Sequence, residues 1–389
     1  MNQKRAIVVG ALGTAQTLAW GSYYLPAILA DPIADGLGLS RTVVFGVFSG
    51  SLLVSAFLGP PVGRAIDAHG GRGVLALSNL VLAAGLVLLA LTQGVVSLVA
   101  AWTVLGVGMA MGLYDPAFAT LAGLYGRAAR GPITGITLIA GFASTVGWPL
   151  SALLEAHFGW RGACLVWAAL NLLIGLPLNR LLIPRAPPPV RATEAETAGP
   201  APRGAMLLLS FVFAATWFVT GAMAAHLPRL LEIAGASATA AIAAAALVGP
   251  AQVGARLVEF GALKRVHPVI SARLAAALHP IGAVVLMAIG PSAIMAFAVL
   301  HGAGNGLLTI AKGTLPLAIF GPVGYGLRNG ILAAPARAAQ AASPLIFGLL
   351  IDWLGVGALA ISAGMSIAAL LALMALRGRT SSTAVPSQA

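Results

Sequence analysis

The chain has 389 residues, 59% of them hydrophobic and only 8% charged, with a formal net charge of +12. That balance excludes an ordinary soluble domain, where about a quarter of residues carry charge. The basic residues lie between apolar runs and not on one patch or tail, which excludes a nucleic-acid footprint and makes a lipid bilayer the expected surrounding.

Stretches without Asp, Glu, Lys or Arg recur along the chain, over 6–30, 42–63, 131–154, 204–228 and 353–376. About twenty apolar residues cross a ~30 Å hydrocarbon core as a helix. Met1–Arg5 is charged, but the apolar run behind it exceeds a signal-peptide core and no small-residue cleavage site follows. It reads as a retained first helix. Hydropathy predicts six spans over roughly 6–30, 42–62, 74–93, 95–124, 131–154 and 162–183. A second set covers 205–230, 237–258, 269–289, 292–320, 326–351 and 354–376. The fold class is therefore an all-α membrane protein of twelve transmembrane helices.

Between the sets lies the proline-rich stretch 184–204, stiff at Pro187–Pro189, which reads as a cytoplasmic linker. The expected domains are 1–183, a first six-helix bundle, and 205–389, a second bundle with a short cytoplasmic tail. Of the 22 basic residues, Arg41, Arg161 and Arg229 fall in outer segments and Lys312 and Arg337 inside spans; the rest lie on the inner side if the N-terminus is cytoplasmic. That bias puts both termini in the cytoplasm and the protein in the cytoplasmic (inner) membrane.

The halves repeat. Gly59-Pro60 with Gly63-Arg64 recurs as Gly249-Pro250 with Gly254 and Arg256. Gly106 and Gly108 recur as Gly302 and Gly304, and Gly135 and Pro149 as Gly330 and Pro344. Ordered matches in three helices favour a duplication, and parallel repeats place a transporter's substrate site between the halves near the midplane.

The loop after the second span, Gly63-Arg-Ala-Ile-Asp67-Ala-His-Gly70-Gly-Arg72, resembles the Gly-x-x-x-Asp-x-x-Gly-x-Arg signature of the major facilitator superfamily. With the two halves and the linker, the resemblance covers the whole apolar part of the chain. It implies a secondary transporter, functional as a monomer, that works by rocking-type alternating access. A narrower similarity joins Gly106-Val-Gly108, Tyr114-Asp115-Pro116-Ala117, Tyr125-Gly-Arg127, Arg130-Gly131 and Gly159-Trp160-Arg161 to the monocarboxylate porter branch. Asp115 departs from that branch, which has a neutral residue before the proline. The buried arginine that proton-driven drug antiporters carry in span four is absent, with Trp102 or Val104 near its place.

Charges inside the hydrocarbon layer are functional candidates by default. Three qualify: Asp115 in span four, Lys312 in span ten and Arg337 in span eleven. Arg337 is expected to supply a bidentate fork for an oxyanion. Lys312 and Asp115 are expected to pair across the halves as a switchable gate in the cytoplasmic half of the layer, with Arg337 nearer the midplane. Alternatives stay open. Asp115 pairs locally with Arg127 or Arg130, Arg337 pairs within its own half, or Lys312 snorkels to the headgroups.

Gln16, Trp20 and Tyr23 on span one and His301 and Asn305 on span ten complete the expected substrate site. The last two share a helix face, and His301 is also a candidate for the coupling proton because imidazole titrates near neutrality. A packing hydrogen bond for His301, and an interfacial belt for Trp20, Tyr23 and Tyr24, are the competing readings. Gly63, Asp67, Gly70, Arg72 and Arg130 form the expected conformational latch, with Asp67 bonding either a helix N-terminus or an arginine such as Arg130.

The lone Cys164 excludes an internal disulfide and a thiolate metal site, and no nucleotide-binding loop or metalloprotease motif occurs. No metal or cofactor is expected. The sequence reads as a transporter of a small organic anion, monocarboxylate-like, driven by protons. Efflux of a toxic, drug-like or metalloid compound on the same fold is the alternative.

Overall fold

The computed structural model describes residues 3–185 and 204–376, so most of the expected linker and both termini lie outside the described residues. All secondary structure among the described residues is helical. α1 (Gln3–Tyr23) and α2 (Pro26–Leu37) divide the expected first span. The break falls immediately before Pro26, which cannot donate to the preceding turn. α3 (Arg41–His69), begun by Ser40 accepting from the amide of Val43, runs straight through Pro60-Pro61. α4 (Gly71–Ala90) follows it directly.

The expected fourth span is also broken. α5 (Val95–Gly112) ends at Leu113, whose φ/ψ of −80/−165° is extended, and α6 (Tyr114–Tyr125) starts afresh with Asp115 in its first turn and Pro116 behind it. Proline suits a first turn and disfavours helical geometry just before it, so Leu113-Tyr114-Asp115-Pro116 writes a restart into the chain. α7 (Arg130–Ile139) and α8 (Ala143–Leu170) then carry it through the fifth and sixth expected spans. The reversal within α8 is Gly159, at φ 66°, where a side chain would be strained.

The second half contains α9 (Ala205–Ile233), α10 (Ala238–Ala246), α11 (Val248–Gly261), α12 (Pro268–Ile289), α13 (Ile294–Phe320), α14 (Tyr325–Leu354) and α15 (Ala358–Ala375). Eight helical stretches among the described residues are long and apolar enough to cross a membrane. Two of them, Val95–Leu182 with 88 residues and Tyr325–Ala375 with 51, far exceed a single crossing. Neither α1 nor α2 alone is among the eight.

The repeated glycines make equivalent close approaches. A Cβ on Gly106 would meet the Ser51 carbonyl oxygen of α3 at 2.6 Å, and one on Gly302 would meet the Val248 carbonyl oxygen of α11 at 2.6 Å. Gly108 packs on Leu82 of α4, and Gly304 on α12 at Ala275. In each half the helix bearing this glycine pair therefore lies in a groove between two others, where small residues let backbones touch. Between the halves, Gly59 and Gly63 of α3 cross Gly330 and Gly326 of α14 backbone to backbone.

Candidate functional site

The restart at α6 aims Asp115 at the second half. Its Oδ1 lies 2.9 Å from Nζ of Lys312 on α13, and its Oδ2 lies 2.7 Å from Nη2 of Arg337 on α14. Nδ2 of Asn329, two turns before Arg337 on the same face of α14, donates to Oδ1 at 3.2 Å. Asp115, Lys312 and Arg337 are 7%, 5% and 7% exposed, so two cations share one anion away from water. The Lys312 ammonium also sits 4.8 Å from the ring centroid of Trp217 on α9, a cation–π contact strengthened by desolvation.

The expected Asp115–Lys312 pair across the halves is thus present. The expected depth difference between that pair and Arg337 does not keep them apart, because the long guanidinium arm reaches the same carboxylate. Local pairing of Asp115 with Arg127 or Arg130 and pairing of Arg337 within its own half do not occur. Arg337 engages Asp115 through Nη2 alone, and beside it a recess is lined by Gly59, Gly63, Asp115, Gly330 and Arg337.

The latch residues divide between two contacts. Asp67 accepts from the amides of Gly326 and Leu327 at 2.8 Å each, which caps the N-terminus of α14 with a carboxylate, and not from Arg130. Arg130, at the start of α7, donates to Oε1 of Glu259 at 3.1 Å and to the carbonyls of Leu263 and Val266. Glu259 is the repeat counterpart of Asp67. Each half therefore places an acid from the end of one helix against the first turn of a helix in the other half. Gly63 gives α3 its approach to Gly326, and Gly70, at φ 77°, forms the α3–α4 corner. Arg72 makes no contact in either latch, and its buried Nε has no partner among the described residues.

Arg256 differs from expectation. As a counterpart of the loop signature it belonged on the inner surface, yet it is 5% exposed and faces the first half. Its Nη1 lies 3.4 Å from the Thr137 carbonyl, in space opened by Gly141, and its Nη2 is 3.3 Å from Oε1 of Gln252. Among the described residues it has no carboxylate partner, and its Nε is unpartnered. A buried unpaired guanidinium is rare enough to mark a site.

His301 and Asn305 line one recess with Thr216, Thr220 and His279, as their spacing predicts. That recess is lined by residues of the second half alone and includes none of Asp115, Lys312 and Arg337. His301 Nδ1 is 3.0 Å from His279 Nδ1, His279 Nε2 is 3.0 Å from the Ser362 hydroxyl, and Thr220 donates to Asn305. The hydrogen bond of His301 is thus one between neighbouring helices. On span one, Gln16 donates to the Gly112 carbonyl at 2.6 Å, while Trp20 and Tyr23 join an aromatic group with Tyr24, Tyr114 and Phe48. Tyr24 meets Trp148 at 5.9 Å within this group.

Sequence reasoning missed Asn329, the pairing of Glu259 with Arg130 and the internal position of Arg256. Asn329 was findable from its eight-residue spacing to Arg337. Nothing local distinguishes Arg256 from the loop arginines.

Long apolar helices enclosing a buried cluster of charges shared by two repeated halves define a multi-pass membrane transporter. The chain belongs to the Major Facilitator Superfamily, whose profile matches residues 12–289. Members carry small molecules across membranes and usually work as monomers. Over 181 residues, 45% of this chain and 41% of the relative, it is 31% identical to an MFS-type efflux pump of Mycolicibacterium smegmatis. Its fold is similar to that of the proton:xylose symporter XylE, with a TM-score of 0.76, 14% identity and 96% of each chain covered. It is also similar to the human organic anion transporter MFSD10 (TETRAN), with a TM-score of 0.69 and 16% identity over 97% of this chain and 100% of that one.

Proposed function

We propose that this protein is a secondary active transporter that moves a small organic anion, monocarboxylate-like, across the cytoplasmic membrane by alternating access coupled to protons. Residues 1–183 and 205–389 act as two six-helix units joined by the 184–204 linker, with twelve crossings and both termini in the cytoplasm. The observation that carries this reading is the sharing of Asp115 between Lys312 and Arg337, which leaves the cluster with a net charge of +1. Uncompensated charge in hydrocarbon is costly, and a substrate carboxylate offers the missing anion. It binds Arg337 through the donors that Asp115 leaves unused. A proton on Asp115 loosens its hold on both cations, and this links proton occupancy to access of the substrate. Arg256 adds a third cation on the same interface and strengthens the anion reading.

Movement between states breaks the Asp67–α14 and Arg130–Glu259 contacts together, because both join the same two halves. Proteoliposomes loaded with and without a pH gradient test the proposal directly. Uptake of monocarboxylates that rises with an alkaline interior, and is abolished in Arg337→Gln protein of normal expression, is the expected result. Unchanged transport in that variant removes Arg337 from the site. The similarity to an efflux pump supports a second reading, export of a toxic or drug-like compound on the same machinery. Gradient-driven extrusion of such a compound, with no response to carboxylates, would decide for it.

A further inference from the structure

The first half carries a cluster of aromatic rings around the end of α1. Trp20 lies 4.9 Å from Tyr114 and 5.0 Å from Tyr23, and Tyr23 lies 5.4 Å from Phe48, centroid to centroid. An aliphatic acid would be served as well by leucines. A flat π ring gains edge-to-face and offset contacts that only such a cluster provides.

Two polar atoms in this cluster lack hydrogen-bond partners among the described residues, and they are complementary. Gln16 is 1% exposed, and with its Nε2 committed to the Gly112 carbonyl its buried Oε1 is an acceptor without a donor. One turn further along the same face of α1, the buried Nε1–H of Trp20 is a donor without an acceptor. Gln16 bonds Gly112 and Trp20 packs on Tyr114, three residues and one residue before Asp115 in the chain. A hydroxyl answers both at once, since it accepts one hydrogen bond and donates another.

Resting on the organic-anion reading above, we propose that the substrate is a planar aromatic carboxylate bearing a ring hydroxyl. Its carboxylate binds Arg337, its ring lies against Trp20 and Tyr114, and its hydroxyl bridges Gln16 Oε1 and Trp20 Nε1. A site built to bond a hydroxyl discriminates against the analogue that lacks it, because the protein groups are then left unpaired.

Binding to the full chain in lipid nanodiscs, measured with para-hydroxybenzoate, benzoate, cyclohexanecarboxylate and lactate, tests this. Para-hydroxybenzoate is expected to bind about tenfold tighter than benzoate, the effect of a satisfied buried hydrogen bond, and benzoate more tightly than cyclohexanecarboxylate. Gln16→Leu brings the hydroxybenzoate-to-benzoate ratio close to one. Trp20→Phe, which keeps a ring and removes the N–H, does the same and serves if the first variant does not fold. A ratio untouched by the variants, as a bridging water would give, overturns the proposal. So does equal binding of lactate and the aromatic acids, which leaves the organic-anion reading standing. Failure of all four acids to bind removes both.

Discussion

Arg337 and Asp115, 222 residues apart in the chain, meet at 2.7 Å inside the bilayer region, and Lys312 spans both oxygens of the same carboxylate, at 2.9 and 3.1 Å. The three groups are not interchangeable. Asp115 is the sole anion of the trio, while each cation has a companion that compensates in part for its loss.

Stability should follow that asymmetry. Asp115→Asn leaves two buried cations facing one another, and breaking a buried pair in this way costs about 3–5 kcal/mol. Lys312→Met leaves the Asp115–Arg337 pair intact with an apolar stem of similar length, so its cost is smaller. Thermal unfolding of the purified variants in one detergent should therefore rank wild type, Lys312→Met and Asp115→Asn in descending order. The reverse order of the two variants would mean that Asp115 is not the hub of the cluster.

Exchange of the gate charges gives a functional counterpart. Asp115→Lys combined with Lys312→Asp restores attraction between positions 115 and 312 while turning the contact with Arg337 into a like-charge one, whereas either change alone makes positions 115 and 312 repel as well. Transport by the double variant should exceed that of both single variants. No recovery argues against Asp115–Lys312 as a pair that opens and closes.

Asp67 and Glu259 hold the halves together at repeat-equivalent places. A carboxylate at a helix N-terminus contributes about 0.3–1 kcal/mol, up to ~2 where partly buried. Asp67→Asn should shift the population of conformers by several-fold toward the state open on that side. A cysteine introduced at Val62, beside the latch, should then react faster with a soluble maleimide, while the native Cys164 stays buried and silent. An unaltered labelling rate would show that the Asp67 contact does not bias the equilibrium.

Close contact of backbones predicts a steric effect with its own control. A Cβ at Gly63 would stand 2.0 Å from the Gly326 carbonyl oxygen, whereas one at Gly73 would meet nothing within 4 Å. Gly63→Ala must push α3 from α14 and is expected to lower both the unfolding temperature and the transport rate. Gly73→Ala should leave both within experimental error.

His267 provides a pH test outside the spans. Its Nδ1 accepts from the amide of Val269 at the start of α12, and partial burial, with Arg130 and Arg273 nearby, holds the imidazole below its ordinary titration range. The cap is therefore fully present above pH ~6.5 and is lost as pH falls through the depressed value. His267→Asn, which retains a capping oxygen, should flatten that part of the stability–pH curve between neutral and acid conditions. An unchanged curve would assign the acid sensitivity to other groups.

Much of this architecture was legible in the chain because lipid imposes a severe filter. Unpaired backbone and stray charge are excluded from hydrocarbon, so apolar runs mark helices and the few interior charges, Asp115, Lys312 and Arg337, identify themselves. The glycine pairs at 106/108 and 302/304 announced the repeat because only small residues fit at those crossings. What the sequence could not supply was depth and direction. It set Arg337 apart from Asp115 by counting turns, took Arg256 for a surface charge, and left His301 between the central site and a packing hydrogen bond, the contact it makes with His279. Whether a charge on a helix faces a partner, a loop or a cavity depends on how that helix is rotated against its neighbours. Close glycine crossings such as Gly63–Gly326 set that rotation between helices hundreds of residues apart. Composition and spacing thus decided which groups could matter, and packing decided which of them meet.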